Sequence, residues 1–263
     1  LALGFDAIAT GHYAAVVEGE GGKELHRAAT WAKDQSYVLG VLTTEQLEHC
    51  YFPLGATPSK DEVRAEAAER GFFVAQKPDS HDICFIPDGD TRGWLAERVG
   101  SEEGAVVDAA GEVVGSHQGA HAFTVGQRKG LQLGYPADDG KPRYVLEVRP
   151  KTNEVVVGPK EALAISELAG AQMSFAGLDP IASGYAQATD EGCEEFDCHV
   201  QVRAHADPVP ARARISQGEL VVRLEEPLLG VAPGQSAVIY VGTRVVGQAT
   251  IDRTVSALAP ARA

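Results

Sequence analysis

The order of apolar and polar positions divides the chain into an α/β stretch, a glycine-broken β stretch and a longer β stretch. Residues 6–11, Asp-Ala-Ile-Ala-Thr-Gly, are almost wholly apolar and predict a short strand buried on both faces of a parallel sheet. Gly11-His12-Tyr13 then reads as the strand-to-loop step that carries ligands at the carboxyl end of α/β sheets. Residues 13–17 and 24–28 flank a glycine-rich turn at 18–23 and predict a hairpin. Lys33-Asp34-Gln35-Ser36-Tyr37 precedes the apolar run 38–42 and is either a solvated helix start or a binding element. Ser59-Lys60-Asp61-Glu62 has capping-box spacing, with Pro58 before it and Gly71 after, so a helix is expected over 59–70. Ala65, Ala67 and Ala68 leave it only a small apolar face. Residues 72–76 read as a strand, and 91–99 as a second helix carrying Trp94 and Leu95.

Beyond residue 105 short β runs alternate with glycines. Val106-Val107 and Val113-Val114 predict a hairpin across Ala109-Ala110-Gly111, and strands are expected at 143–148 and 154–157. Between them, residues 117–134 are rich in glycine around Arg128-Lys129: a flexible basic loop or a phosphate-embracing one. A helical or loop link opens the segment 161–200. Strands at 196–204, 211–216, 220–224, 236–240 and 244–251, with no long helix, predict a small closed barrel of five or six antiparallel strands. The fold expected is α/β plus β, with domains at 1–100, 101–160 and 161–263.

Composition narrows the class. With 44% hydrophobic and 23% charged residues the chain reads as globular, and no apolar run approaches the roughly 18 residues a membrane span needs. A cytoplasmic protein without a membrane partner is expected. A net charge of −14 argues against a generic nucleic-acid coat. Its distribution is uneven: nine basic and twenty acidic residues over 1–112, seven and four over 113–160, seven and thirteen over 161–263. The relatively basic middle is either a solvated face or a restricted contact for a polyanion. Residue 1 is leucine, the one methionine is Met173, and the opening strand needs sheet neighbours that the first 80 residues do not supply in full. The expectation is therefore the C-terminal part of a longer protein.

Four cysteines, Cys50, Cys84, Cys193 and Cys198, do not make a disulfide framework in 263 residues. Cys193 and Cys198 lack a second pair or a histidine motif, and no metal site is predicted. Cys84 lies within Asp79-Ser80-His81-Asp82-Ile83-Cys84-Phe85-Ile86, after an acidic, imidazole-bearing turn. Its flanks read as a buried strand with an inert thiol. A reactive reading needs His81 or a nearby helix end to favour the thiolate.

Six motifs occur in order: Ala9-Thr10-Gly11-His12-Tyr13, Lys33-Asp34-Gln35-Ser36-Tyr37, Phe52-Pro53-Leu54-Gly55, Asp82-Ile83-Cys84-Phe85-Ile86, Thr124-Val125-Gly126-Gln127-Arg128-Lys129-Gly130-Leu131 and Pro233-Gly234-Gln235-Ser236-Ala237. Together, from the first residues to about Arg253, they resemble the bacterial tRNA-specific 2-thiouridylase family, MnmA. The resemblance implies the C-terminal part of an ATP-pyrophosphatase α/β domain, a small central β domain and a C-terminal β-barrel. It implies ATP-dependent 2-thiolation of the wobble uridine of tRNA, in which ATP adenylates the base and a cysteine persulfide delivers sulfur. By the same resemblance Cys84 is the persulfide cysteine and Gly11 contacts ATP, where a missing side chain lets backbone approach the nucleotide. His12, Lys33, Asp34, Gln35, Arg203, Ala204 and Gln235 match tRNA-contacting positions. The family often has an aromatic residue at the position of Ala204, so a possible stacking partner is missing there. Gln235 is equally readable as a turn residue.

The implied partners are tRNA and a persulfide donor, a cysteine desulfurase or relay protein, with magnesium accompanying ATP and no tightly bound cofactor. The family's pyrophosphate-binding loop, and a second cysteine that closes a disulfide with the persulfide cysteine, would both precede Leu1. The fragment alone is therefore expected to be inactive. Two rivals remain: another ATP-pyrophosphatase enzyme, which has no need of Cys84 or a terminal barrel, and a non-enzymatic tRNA-binding module, whose binding would survive Cys84→Ala.

Overall fold

Ala164–Phe175, which the sequence reads as part of a link, is a twelve-residue strand and supplies the stave that closes the barrel. The computed structural model describes residues 3–76, 86, 89–133 and 139–258. The closed ring contains Ala164–Phe175, Arg244–Ser256, Ser236–Val241, Phe196–Gln201, Val209–Ser216 and Glu219–Leu229, the last pairing back to the first. The missed strand has no period-2 signal: buried Leu168, Ala169 and Gly170 follow one another, and Gly170 lies against the backbone of Thr250 and Ile251. Elsewhere alternation is clear. Phe196, Cys198 and Val200 turn inward while Asp197 and His199 face out.

The hairpin of Ala14–Gly19 and Gly22–Arg27 forms as expected and joins the barrel's last strand through Leu25 opposite Val245 and His26 opposite Arg244. One apolar core results. Ala14, Leu25, Leu39, Leu47 and Phe52 pack with Val238, Tyr240 and Val245. Residues 1–77, 166–226 and 233–254 accordingly make one compact unit.

The other unit comprises residues 78–165, 227–232 and 255–263. Its four-stranded sheet has the order Val113–His117, Gly104–Val107, Glu154–Gly158, Tyr144–Arg149, with the two inner strands parallel. Val106, Val145, Val155 and Val157 form its core with Leu131 of the glycine-rich segment. Helix Thr91–Val99 is capped by Asp90, whose side chain accepts from Gly93 N at 2.9 Å.

Three local expectations change. The opening strand is only Ile8–Ala9; it pairs in parallel with Cys50–Tyr51, as one neighbour permits, but both its residues are exposed because a two-stranded sheet covers neither face. Residues 72–76 form no strand: Phe73–Gln76 is a 3-10 turn with Phe73 96% exposed. Helix Lys60–Glu69 is capped by Ser59 alone, whereas the reciprocal box falls at Thr43 and Gln46, ahead of helix Thr44–Glu48.

Candidate nucleic-acid interface

Strand Gly22–Arg27 alternates, so Arg27 shares the inward face of Leu25 and carries a guanidinium into the core. That charge needs a partner, and the chain supplies it seven residues on. Arg27 Nη1 donates to Asp34 Oδ2 at 3.2 Å and Nη2 to Gln201 Oε1 at 3.2 Å. Its Cζ lies over two aromatic rings, 3.9 Å from the centroid of Tyr240 and 4.2 Å from that of Trp31.

Asp34 organises the segment predicted to bind tRNA. Its Oδ1 accepts from Ala28 N at 2.9 Å and Ser36 N at 3.3 Å, and Oδ2 also accepts from Ser36 Oγ at 2.7 Å. With its side chain only 5% exposed, the carboxylate faces the chain itself. Ser36 Oγ lies 3.3 Å from the Tyr240 hydroxyl. Burial pushes the Tyr240 phenol up to about 12, against the lowering effects of the Ser36 contact and the Arg27 charge.

Of the neighbouring predicted residues, Gln35 is fixed through the backbone of Tyr13 and His12 through side chains. Gln35 clasps Tyr13: its Oε1 accepts from Tyr13 N at 3.0 Å, and its own N donates to Tyr13 O at 2.8 Å. His12 Nδ1 lies 2.9 Å from Thr10 Oγ1, with its ring edge-on to Phe52. Gly11 is exposed just past the carboxyl end of Ile8–Ala9. Lys33 ends the 3-10 turn Trp31–Lys33 and is exposed.

Arg203 and Ala204 follow strand Phe196–Gln201, where Gln201 Nε2 donates to the carbonyls of both, at 2.9 and 3.3 Å. Gln201 thus ties Arg27 on one side to the 203–204 turn on the other. Between them opens a cleft of about 200 Å³. Trp31 and Ala32 line one wall, residues 204–208 the other, and Arg27, Asp34 and Gln201 the buried base. Gln235 lies on the turn leading into Ser236–Val241, and its carbonyl accepts from Ile251 N at 2.8 Å. Next to it, Ser236 O accepts from the Tyr37 hydroxyl at 3.2 Å. Burial raises the Tyr37 pKa while the charge of Arg203 opposes the rise, so Tyr37 links the Gln235 turn to the field of Arg203.

The compact unit therefore brings Asp34 and Ala204 into one cleft, with Lys33 and Arg203 next to it in sequence. Sequence reasoning missed Arg27, Trp31, Gln201 and Tyr240. A charged residue on the buried face of a strand, with an aspartate a short turn later, was the available signal for Arg27.

Cys84, with the rest of residues 77–85, lies outside the described residues. Of the other thiols, Cys198 is buried and pushed up to about 12, chiefly by desolvation. Cys193 is also buried and raised, and its Sγ accepts from Ile215 N. Cys50 is half-buried, raised by burial and lowered by the Lys23 charge. Among the described residues no group of three or more His, Cys, Asp or Glu is placed to hold a metal ion. In the second unit the Thr124–Leu131 motif clasps itself. Gln127 Oε1 accepts from Thr124 N and Gln127 Nε2 donates to Lys129 O, leaving Arg128 and Lys129 exposed at the tip.

Three family models match in order: the tRNA methyl transferase HUP domain over residues 1–88, the tRNA methyl transferase PRC-barrel domain over 92–159 and the aminomethyltransferase beta-barrel domain over 183–251. Among curated proteins, the tRNA-specific 2-thiouridylase MnmA of Leifsonia xyli subsp. xyli is 66% identical over 259 residues, 98% of this chain and 68% of that protein. That of Clavibacter sepedonicus is 66% identical over all of this chain and 65% of its own length. That of Kocuria rhizophila is 64% identical over 96% of this chain and 67% of its own. The chain thus spans about two thirds of the relatives it matches.

Proposed function

The chain belongs to the MnmA family of tRNA-specific 2-thiouridylases, and from that membership we propose that it works in the ATP-dependent exchange of oxygen for sulfur at C2 of the tRNA wobble uridine. The observation that carries the reading is 66% identity sustained over 98% of the chain.

ATP, when bound with magnesium, supplies the adenylyl group that makes the uridine 2-oxygen a leaving group. Gly11 fits an approach of that kind. A Cβ there would meet only Leu54 Cδ1, at an ordinary 3.8 Å, and Gly11 is not among the positive-φ glycines. Neither internal packing nor backbone strain calls for glycine at this exposed position, which supports the approach of an external ligand there. Cys84 carries the sulfur as a persulfide from a desulfurase or relay protein. Its terminal sulfur bonds to C2 and AMP departs with the old oxygen. A second thiol then attacks Cys84, so the S–S bond breaks to release the thiolated base and a cysteine disulfide forms.

tRNA is held by the first unit through His12, Lys33, Gln35, Arg203 and Gln235. Asp34 contributes by ordering the segment from Arg27 to Ser36, and Ala204 by leaving the cleft open. A cytoplasmic location suits this substrate, and among the described residues no helix is long and apolar enough to cross a membrane.

The test uses the purified chain with cysteine and a cysteine desulfurase. Mass analysis should find one added sulfur on the Cys84 peptide, lost in Cys84→Ser, while tRNA binding is unchanged by that substitution. Sulfur on a different cysteine, or on none, rejects the role of Cys84. Absence of tRNA binding rejects the substrate. Nucleosides from tRNA treated with the chain completed by the remaining third of a relative should show sulfur in place of oxygen. A methylated nucleoside instead would favour the activity named in two of the family models.

A further inference from the structure

We propose that Trp31 is a stacking platform for an unpaired base of the RNA, an inference that rests on the tRNA reading above. Trp31 is 55% exposed at the mouth of the cleft. A single exposed apolar residue needs no explanation, but this ring is held in a fixed pose. It is the exposed partner of a buried group: Tyr240 is 1% exposed, Arg27 6% exposed, and the Arg27 Cζ lies over the Trp31 ring at 4.2 Å.

The guanidinium has no freedom to swing away. Asp34 and Gln201 each accept a hydrogen bond from it, and the buried Tyr240 ring packs 3.9 Å from its Cζ. An aromatic ring pinned before binding loses little conformational freedom when a base lands on it. The opposite wall is held by the same hub, because Gln201 accepts from Arg27 and donates to the carbonyls of Arg203 and Ala204. Ala204 is small, so that wall leaves the space over the ring open.

The chemistry of the occupant follows. Asp34 directs both carboxylate oxygens inward and Gln201 spends its amide on the protein, so the base of the cleft offers little hydrogen-bonding discrimination. An indole face accepts any base. In RNA the accessible base faces are those of unpaired nucleotides in loops, bulges and ends, since paired bases are stacked within the helix. Platform and groove therefore suit a single flipped or looped nucleotide, not duplex.

The chain has two tryptophans, so Trp94→Phe makes Trp31 the sole indole. In that background, tRNA should quench the tryptophan fluorescence, and a fully paired RNA of equal length should not. Trp31→Ala should weaken tRNA binding about tenfold, with the salt dependence unchanged because no phosphate contact is removed. Trp31→Phe, which keeps an aromatic face, should stay within about threefold of the parent, and both variants should melt close to it. Equal affinity of parent and Trp31→Ala, or equal quenching by paired RNA, overturns the platform while leaving the tRNA reading standing. Failure of the parent to bind tRNA overturns both.

Discussion

Arg27 and Asp34 form an ion pair at 3.2 Å with only 4% and 5% of their side chains exposed. Taking two charges out of water is costly, and the pair is tolerated because each group's remaining valences are filled: Gln201 and two aromatic faces for Arg27, two backbone amides and Ser36 for Asp34. Removing one partner leaves the other charged, buried and uncompensated. Asp34→Asn should therefore destabilise the chain by about 3–5 kcal/mol, read as a lower urea midpoint. Replacing the pair together, Arg27→Met with Asp34→Leu, should recover part of the loss. A single variant as stable as the parent would show that the pair is not what holds the segment.

Tyr240 ties stability to alkaline pH. Its folded pKa of about 12 stands above the ordinary phenol value of 10.0, mainly through burial. The native state thus holds the proton more tightly than the unfolded chain. The associated stability is fully present below pH 10 and is lost as pH rises towards 12, a change of about 3 kcal/mol at 1.4 per unit. Denaturation midpoints should fall over that window. Tyr240→Phe, which has no proton to lose, should flatten the decline. Cys198, also at about 12, contributes a further loss that begins near the ordinary thiol value of 9.0.

The thiols should separate by reagent access. The thiolate is the reacting form, and Cys198 has almost none near neutral pH. In Cys84→Ser, native labelling with a thiol reagent at pH 8 should modify Cys50 first, since Cys193 and Cys198 are buried. All three should react in denaturant. Prompt native labelling of Cys198 would contradict its place inside the barrel.

How much of this was legible depends on whether the deciding interaction was local. The first hairpin, helix Thr91–Val99 and five of the six barrel strands follow from alternation and turn residues. Strand Ala164–Phe175 was missed because its register is imposed by strands far along the chain, with Gly170 lying against Thr250. Residues 72–76 have a strand-like composition, but among the described residues no neighbour supplies a ladder, and Phe73–Gln76 curls into a 3-10 turn. At the candidate interface, Lys33, Asp34, Gln35 and Gln235 lie in the ordered motifs, and Arg203 and Ala204 came from the resemblance those motifs carry. The hub beneath them did not, since Arg27 and Gln201 are 174 positions apart and Ser36 and Tyr240 are 204 apart.

Two motif glycines should respond oppositely to the same change. At Gly55, which closes Phe52-Pro53-Leu54-Gly55, an added methyl group would run into the carbonyl of Ala14 and the backbone of Ala15. Gly55 also accepts from Ala29 N at 2.9 Å, so it cannot retreat without disturbing the residues between the hairpin and Trp31. Gly55→Ala should cost about 1–3 kcal/mol. It should weaken tRNA binding as well, because Ala14 adjoins Tyr13, the residue clasped by Gln35. Gly11→Ala meets only Leu54 at 3.8 Å and should leave the melting temperature where it was, while reducing ATP binding if the nucleotide approaches there. Melting curves of the two variants decide the matter: equal losses would mean that Gly11 is kept for packing, and the argument that a ligand explains it would fall.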